Sequence, residues 1–195
     1  MKRTMTKRNI KAAVAISTIA LMSAFTAQAA DEDVRGDAKQ AVADFLNKDS
    51  TLKKYFDNSA GYAIFPSVGK GGFVVGGAHG KGVVYEKANL IGEATMTQAS
   101  VGAQVGGQTF SEIIFFETPA ALDDFKSGKF EMSAEASAVA AAEGASAAAG
   151  YKRGVAVFTL PKKGLMAQAS VGGQKFKFKP ESLEPTGRPT PKPEK

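Results

Sequence analysis

Apolar and polar positions change period along this chain, and the changes divide it into elements. Val34, Ala38, Ala41, Val42 and Phe45 recur at helical spacing while Arg35, Lys39 and Asp44 point elsewhere. That spacing predicts an amphipathic helix capped by Asp31 or Asp33 and running to about Asn47. A second short helical turn is expected over 51–57, with Leu52, Tyr55 and Phe56 inward and Lys53 and Lys54 exposed. From Gly61 to Glu86 the texture is different: short apolar runs are cut by glycine, with seven glycines between Gly69 and Gly82. Glycine inside a strand marks a bulge, a bend or a close backbone approach, so this block reads as tightly curved strands.

Strands are predicted at 62–65, 72–78, 82–86, 92–105 and 109–116. The continuous run Ile113, Ile114, Phe115, Phe116 is expected of a strand covered on both faces. Thr118 as N-cap, Pro119 at the first helical position and Gly128 beyond the end predict a short helix over 119–127. Over 129–141 two templates compete. Phe130, Met132, Ala134, Ala136 and Ala138 alternate with polar residues at period two, whereas alanine's propensity favours helix. The last strands are placed at 154–160 and 165–179, joined by a turn at 161–164. Met96 to Gln104 and Met166 to Gln174 repeat one motif, MTQASVGAQ and MAQASVGGQ, which hints that one structural unit occurs twice. Residues 180–195 hold five of the eight prolines and no apolar run, the composition of a disordered tail.

Residues 1–29 read as a secretory signal. Lys2, Arg3, Lys7, Arg8 and Lys11 precede an apolar run from Ala12 to Phe25, and Ala27 and Ala29 flank Gln28 at the expected cut after Ala29. The domain division expected is therefore a cleaved signal at 1–29, one domain at 30–179 and the tail. No cysteine follows the apolar run, so a lipoprotein anchor cannot form, and the expected location is periplasmic, peripheral on an envelope membrane. Cleavage changes the charge picture. The chain as a whole carries +6, but without the five basic signal residues 20 Lys and Arg face 19 Asp and Glu, which removes the main support for nucleic-acid binding. Without cysteines, no disulfide staples the fold.

Four blocks in order carry a resemblance: AGYAIFPSVGKGGFVVGG, GKGVV, ASVGAQVGGQTFSEIIFFET and GVAVFTLPKKGLMAQASVGG. Together they resemble the SYLF domain, the Ysc84-type lipid-binding family, from Ala41 to Phe178. One departure stands out: relatives often carry a Trp-Ser-Pro turn after the GxGVV strand, where residues 87–92 here read KANLIG. The resemblance implies an extended conformation over 129–141, a lipid ligand and no enzymatic activity, and it implicates the N-terminal region in membrane contact. Packing of the helix stripe on the sheet is the other reading of that region. Eukaryotic members are tied to phosphoinositide membranes and actin, and actin is not expected in the periplasm.

Catalytic chemistry finds little support. His79, in GGAHGKG, is the single histidine, so a zinc site would need carboxylates alone beside it, and no metal or cofactor is expected. GxSxG and HExxH are absent, and Gly82 follows Gly80-Lys81 where a P-loop needs Ser or Thr. The glycine block could instead form an anion-binding nest, although strand curvature explains it as well. A clearer pattern is electrostatic. Lys175, Lys177 and Lys179 alternate with Phe176 and Phe178, so one strand face carries three ammonium groups spaced about 7 Å apart. Lys162, Lys163, Lys152 and Arg153 extend this candidate lipid-binding set, with Lys53 and Lys54 beside the N-terminal helix. Lysine on an edge strand also guards against edge pairing, which is the competing explanation.

The expected fold is α+β, a curved, mainly antiparallel β-sheet or partly closed barrel with an N-terminal amphipathic helix and one short internal helix. The expected function is non-enzymatic binding of anionic phospholipid or a membrane surface. A structural or stress-related periplasmic protein that binds a protein partner, and an acyl-chain carrier, are the alternatives.

Overall fold

The computed structural model describes residues 33–72, 75–101, 107–132, 138–163 and 171–181. Helix α1 covers 33–48, a 3-10 turn follows at Ser50–Leu52, and α2 is Lys53–Asn58. Strands β1 (Gly61–Gly72), β2 (Val75–Glu86), β3 (Asn89–Val101) and β4 (Gln108–Phe116) precede α3 (Pro119–Lys126). The two-residue β5 (Val139–Ala140), α4 (Ala145–Ala148), β6 (Val155–Lys163) and β7 (Gln174–Pro180) follow among the described residues. The seven strands form one open sheet in the order β5-β6-β4-β1-β2-β3-β7, antiparallel except for the β5–β6 pair. This is the α+β architecture the sequence predicts.

The Ile113–Phe116 run explains the layering. Ile113 and Phe115 point to an outer core with Ala38, Ala41 and Phe45 of α1 and Tyr55 of α2. Ile114 and Phe116 point to an inner core with Leu122 and Phe125 of α3 and with Phe65 and Phe176. The α1 stripe is therefore buried on the sheet. Asp49 fixes the helical layer. Fully buried, it accepts the backbone N–H groups of Thr51 (3.0 Å), Gly144 (3.2 Å) and Ser146 (2.7 Å) and the Thr51 hydroxyl (2.6 Å). Burial pushes its carboxyl up, but the hydrogen bonds from Thr51 and Ser146 outweigh that and hold it below the usual aspartate value.

Several boundaries differ from the sequence reading, each for a local reason. Pro66 does not end β1, because the register shifts there against both neighbours and the Ser111 hydroxyl donates to the Pro66 carbonyl at 2.8 Å. A bulge is where a strand tolerates proline. Of the strand expected at 72–78, Gly72 ends β1 and 73–74 lie outside the described residues, while 75–78 join the strand expected at 82–86 in one strand, β2, since Gly80 and Gly82 lie within it. Pro161 likewise starts no turn: it pairs opposite Phe110 at a register shift, and β6 runs on to Lys163. Asp33 already lies within α1, and Asp31 is outside the described residues. The expected strand at 129–141 is reduced to a bridge between Glu131 and Lys175 and the short β5, with 133–137 outside the described residues. Pro180 belongs to the sheet opposite Gly92, and Glu181 is held by Arg35 in two hydrogen bonds of 2.8 and 2.7 Å. Residues 1–32 and 182–195, which hold the predicted signal and most of the predicted tail, lie outside the described residues. Residues 102–104 of the first copy of the repeated motif and 166–170 of the second lie outside the described residues.

Close approach explains part of the glycine pattern. A Cβ on Gly82 would collide with the Ile64 carbonyl oxygen and come within 2.7 Å of Phe65 Cδ1, whereas one on Gly69 would meet nothing within 4 Å. At the same end of the sheet the inner face turns polar. Glu112, fully buried, accepts from Gln174 Nε2 at 2.9 Å and faces Thr159 across the β4–β6 ladder. Burial raises its carboxyl to about 7, against the smaller opposing pull of the Gln174 hydrogen bond and the Lys70 charge.

Gly82→Ala should lower stability by roughly 2 kcal/mol through overpacking, while Gly69→Ala should leave it unchanged or raise it by less than about 1 kcal/mol; urea unfolding midpoints check both. A second prediction concerns pH. Because the folded-state value of Glu112 lies above its unfolded value of 4.5, its contribution is fully present below 4.5 and is lost as pH rises through about 7. The loss is on the order of 3 kcal/mol, so Glu112→Gln should flatten the fall in unfolding free energy across this window.

Candidate functional site

Helices α1 and α2 cover only part of the outer sheet face. Beyond them, alternate positions of the glycine-rich strands face solvent: Ser67 and Gly69 on β1, Gly77, His79 and Lys81 on β2, Thr97 and Ala99 on β3, and Lys175 and Lys177 on β7. The strand pairing assembles these into rows. Ser67, Lys81, Thr95 and Lys177 are successive partners across β1, β2, β3 and β7, and Gly69, His79, Thr97 and Lys175 form the next row. Lys81 and Lys177 therefore stand two strand spacings apart, about 10 Å. Among the described residues neither makes an ion pair. A crevice of about 230 Å³ opens beside this band, lined by Val34 of α1, Lys81, Glu93, Lys177 and Lys179.

The candidate residues from the sequence divide into separate groups. Lys175, Lys177 and Lys179 are exposed on β7 as expected, with Phe176 buried and Phe178 half-buried on the other face. Lys175 bridges Glu131 at 2.9 Å, and Lys179 sits opposite Glu93. Lys53 and Lys54 belong to the helical layer instead: Lys53 pairs with Asp57 at 2.8 Å, and Lys54 donates to the Ala147 carbonyl at 3.0 Å and lies over the Tyr55 ring. Lys162 is exposed near the end of β6, where the Lys163 backbone pairs with Thr109. Four strands separate β6 from β7 in the sheet order, so these two residues do not extend the β7 row along neighbouring strands. Lys81 was missed in the sequence. The signal was its two-residue spacing from His79, hidden once the glycines around it were read as a break.

Lys152 and Arg153 sit in a tight turn before β6, with Arg153 at φ 52°, and they line a second feature. This is a cavity of about 790 Å³ at the open seam of the sheet. On one side the backbone of Met132 exchanges hydrogen bonds with the β7 end, Met132 N to Gln174 O at 3.2 Å and Gly173 N to Met132 O at 3.0 Å. On the other lie β5 and β6, where β5 pairs only Phe158 and Thr159. Met132, Val155, Val157 and Phe158 are buried in its wall, while Glu131, Lys152 and Arg153 are exposed at its edge. Helix α4 supplies the third wall. It is anchored by Asp49 to Ser146 N and by the Tyr55 hydroxyl, which donates to the Ala149 carbonyl at 2.7 Å. Among the described residues there is no group of three or more His, Cys, Asp and Glu placed to hold a metal ion, and no helix long and apolar enough to cross a membrane.

Comparison with known proteins places this arrangement. Residues 97–182 match the family model of Ysc84, described as a Las17-binding protein and actin regulator. Beta cell expansion factor A of Aeromonas veronii is 31% identical over 140 residues, 71% of this chain and 53% of that protein. The chain thus spans about half the length of this relative. The family match takes in β4, α3, α4, β6 and β7, and with them the seam cavity and the β7 lysines. Residues 97–182 thus carry a Ysc84, or SYLF, domain.

Proposed function

We propose that this protein is a non-enzymatic lipid-binding protein of the bacterial envelope, exported to the periplasm, that docks on anionic lipid surfaces through the uncovered end of its outer sheet face. The observation that carries this reading is the pair of cross-strand rows, Lys81–Thr95–Lys177 and His79–Thr97–Lys175, on a face where the intervening residues are small or polar. Such a face has small or polar residues between its cations and presents those cations from two strands, β2 and β7. An ammonium group near an anionic membrane surface contributes roughly 1 kcal/mol and acts within a Debye length of about 8 to 10 Å. Lys81, Lys175 and Lys177 together therefore support weak, salt-sensitive association. Lys175 can exchange its exposed partner Glu131 for a headgroup at little cost, because exposed ion pairs contribute only about 0 to 1 kcal/mol. Lys81 on β2, inside the sheet, needs a reason other than edge protection, which at that position speaks for a ligand over the competing explanation.

The family description names binding to a protein, Las17, and regulation of actin, which favours a second reading in which the same face docks a protein partner. Vesicle flotation separates the two. Phosphatidylglycerol-containing vesicles should capture the wild-type protein at low salt, and phosphatidylcholine vesicles should not. The double variant Lys81→Glu/Lys177→Glu should weaken capture by at least roughly tenfold, whereas Lys53→Glu/Lys54→Glu in the helical layer should change it little. Equal capture of both double variants would remove the outer face from the account.

A further inference from the structure

Resting on the lipid-binding reading, we propose that the seam cavity is a second, internal lipid site that takes one anionic acyl chain, its hydrocarbon against Met132, Val155, Val157 and Phe158 and its acidic end at Lys152 and Arg153. The outer face explains attachment to a surface, but it offers no enclosure for hydrocarbon. The cavity does. Its volume of about 790 Å³ falls in the range of ligand pockets, roughly 300 to 1,000 Å³. Its buried walls are aliphatic and aromatic side chains without a hydroxyl, amide or carboxyl group, so the inner part of an occupant has no side-chain hydrogen bond to make there. The core residues Met132, Val155 and Val157 keep 5, 7 and 8% of their surface exposed, while Phe110, Ile113, Ile114 and Phe115 next to them in the sheet keep none. Met132, Val155 and Val157 thus retain a little uncovered apolar surface beside the fully covered run of β4.

Charge complementarity selects the end group. Of the three charged residues that line the cavity, two are cations, Lys152 and Arg153, a basic pair on adjacent positions of one turn that outweighs the one carboxylate, Glu131. That turn is fixed by reciprocal backbone hydrogen bonds between Lys152 and Val155, 2.8 and 3.2 Å long, which hold the basic pair at the start of β6, whose residues line the same cavity. A carboxylate or phosphate attached to a hydrocarbon chain matches this sequence of surfaces from edge to interior. The site also adjoins the outer face, since Glu131 belongs to the cavity and its partner Lys175 to the cationic row. A lipid engaged at the surface is thereby next to an opening that accepts its chain.

Displacement of a fluorescent fatty acid from the purified protein by octanoate, laurate and palmitate tests the assignment. Affinity should rise with chain length, by up to about fourfold per methylene buried. Lys152→Gln/Arg153→Asn, which keeps a residue tolerant of positive φ at 153, should weaken palmitate roughly tenfold and leave a neutral monoacylglycerol unchanged. Ala148 is exposed on α4 and lines the cavity, so Ala148→Trp can fill it without disturbing the core, and this variant should lose palmitate binding but retain vesicle capture. Lys81→Glu/Lys177→Glu should show the reverse, losing vesicles and keeping palmitate, which distinguishes failure of the internal site from failure of the surface site. Absence of displacement, affinity independent of chain length, or undiminished palmitate binding by Ala148→Trp would overturn the proposal.

Discussion

Strand β4 must be covered on both faces, and the rest of the molecule follows from that constraint. Ile113 and Phe115 demand one apolar layer, Ile114 and Phe116 another, and no side chain of this run reaches solvent. The outer layer comes from α1 and α2, whose Ala38, Ala41 and Phe45 stripe is spent on the sheet and not on a membrane. The inner layer comes from α3 and from curvature, which brings Phe65, Phe125 and Phe176 together with ring centroids 5.0 to 5.8 Å apart. Each cover stops short of the whole sheet. Where the helices end, a cationic sheet face is bare; where the curved sheet fails to close, an apolar cavity remains.

Curvature in turn depends on backbone contact. Gly82 lets β2 lie against Ile64 and Phe65, and the shift at Pro66 re-aims β1 so that Phe65 and Val68 both point inward. Close approach at Gly82 thus accounts for part of the glycine pattern without a phosphate-binding loop. The inner face at the same end of the sheet is polar, with Lys70, Glu112 and Gln174 all buried. On the outer side, the four hydrogen bonds of Asp49 keep it charged while tying the helical layer to α4, and so to the wall of the cavity.

The sequence makes the architecture legible wherever a period is strong. The α1 stripe, the Thr118–Pro119 start of α3, the two-sided run of β4 and the Lys–Phe alternation of β7 all stand where the pattern puts them. Reading fails where a residue known as a breaker is accommodated by tertiary context. Pro66 and Pro161 sit at register shifts, and Gly80 and Gly82 lie inside a long strand, so β1, β2 and β6 run longer than their local signals suggest. That error propagates to the candidate site, since breaking β2 hides the shared face of His79, Lys81, Lys175 and Lys177. Sequence proximity misleads in the other direction: Lys162 adjoins β7 along the chain yet lies at the opposite side of the sheet order. The seam cavity has no sequence signal, because it is created by elements from 130 to 158 meeting across a gap.

The Ysc84 domain match over residues 97–182 and a bare basic face lead to one central claim, that the outer face is what meets lipid. The chain contains no cysteine, so a single one can report on a chosen site. An environment-sensitive fluorophore attached at Thr97→Cys, between His79 and Lys175, should shift to the blue when phosphatidylglycerol vesicles are added, while the same label at Asp57→Cys on α2 should not respond. A response at residue 57 with none at residue 97 would contradict the account.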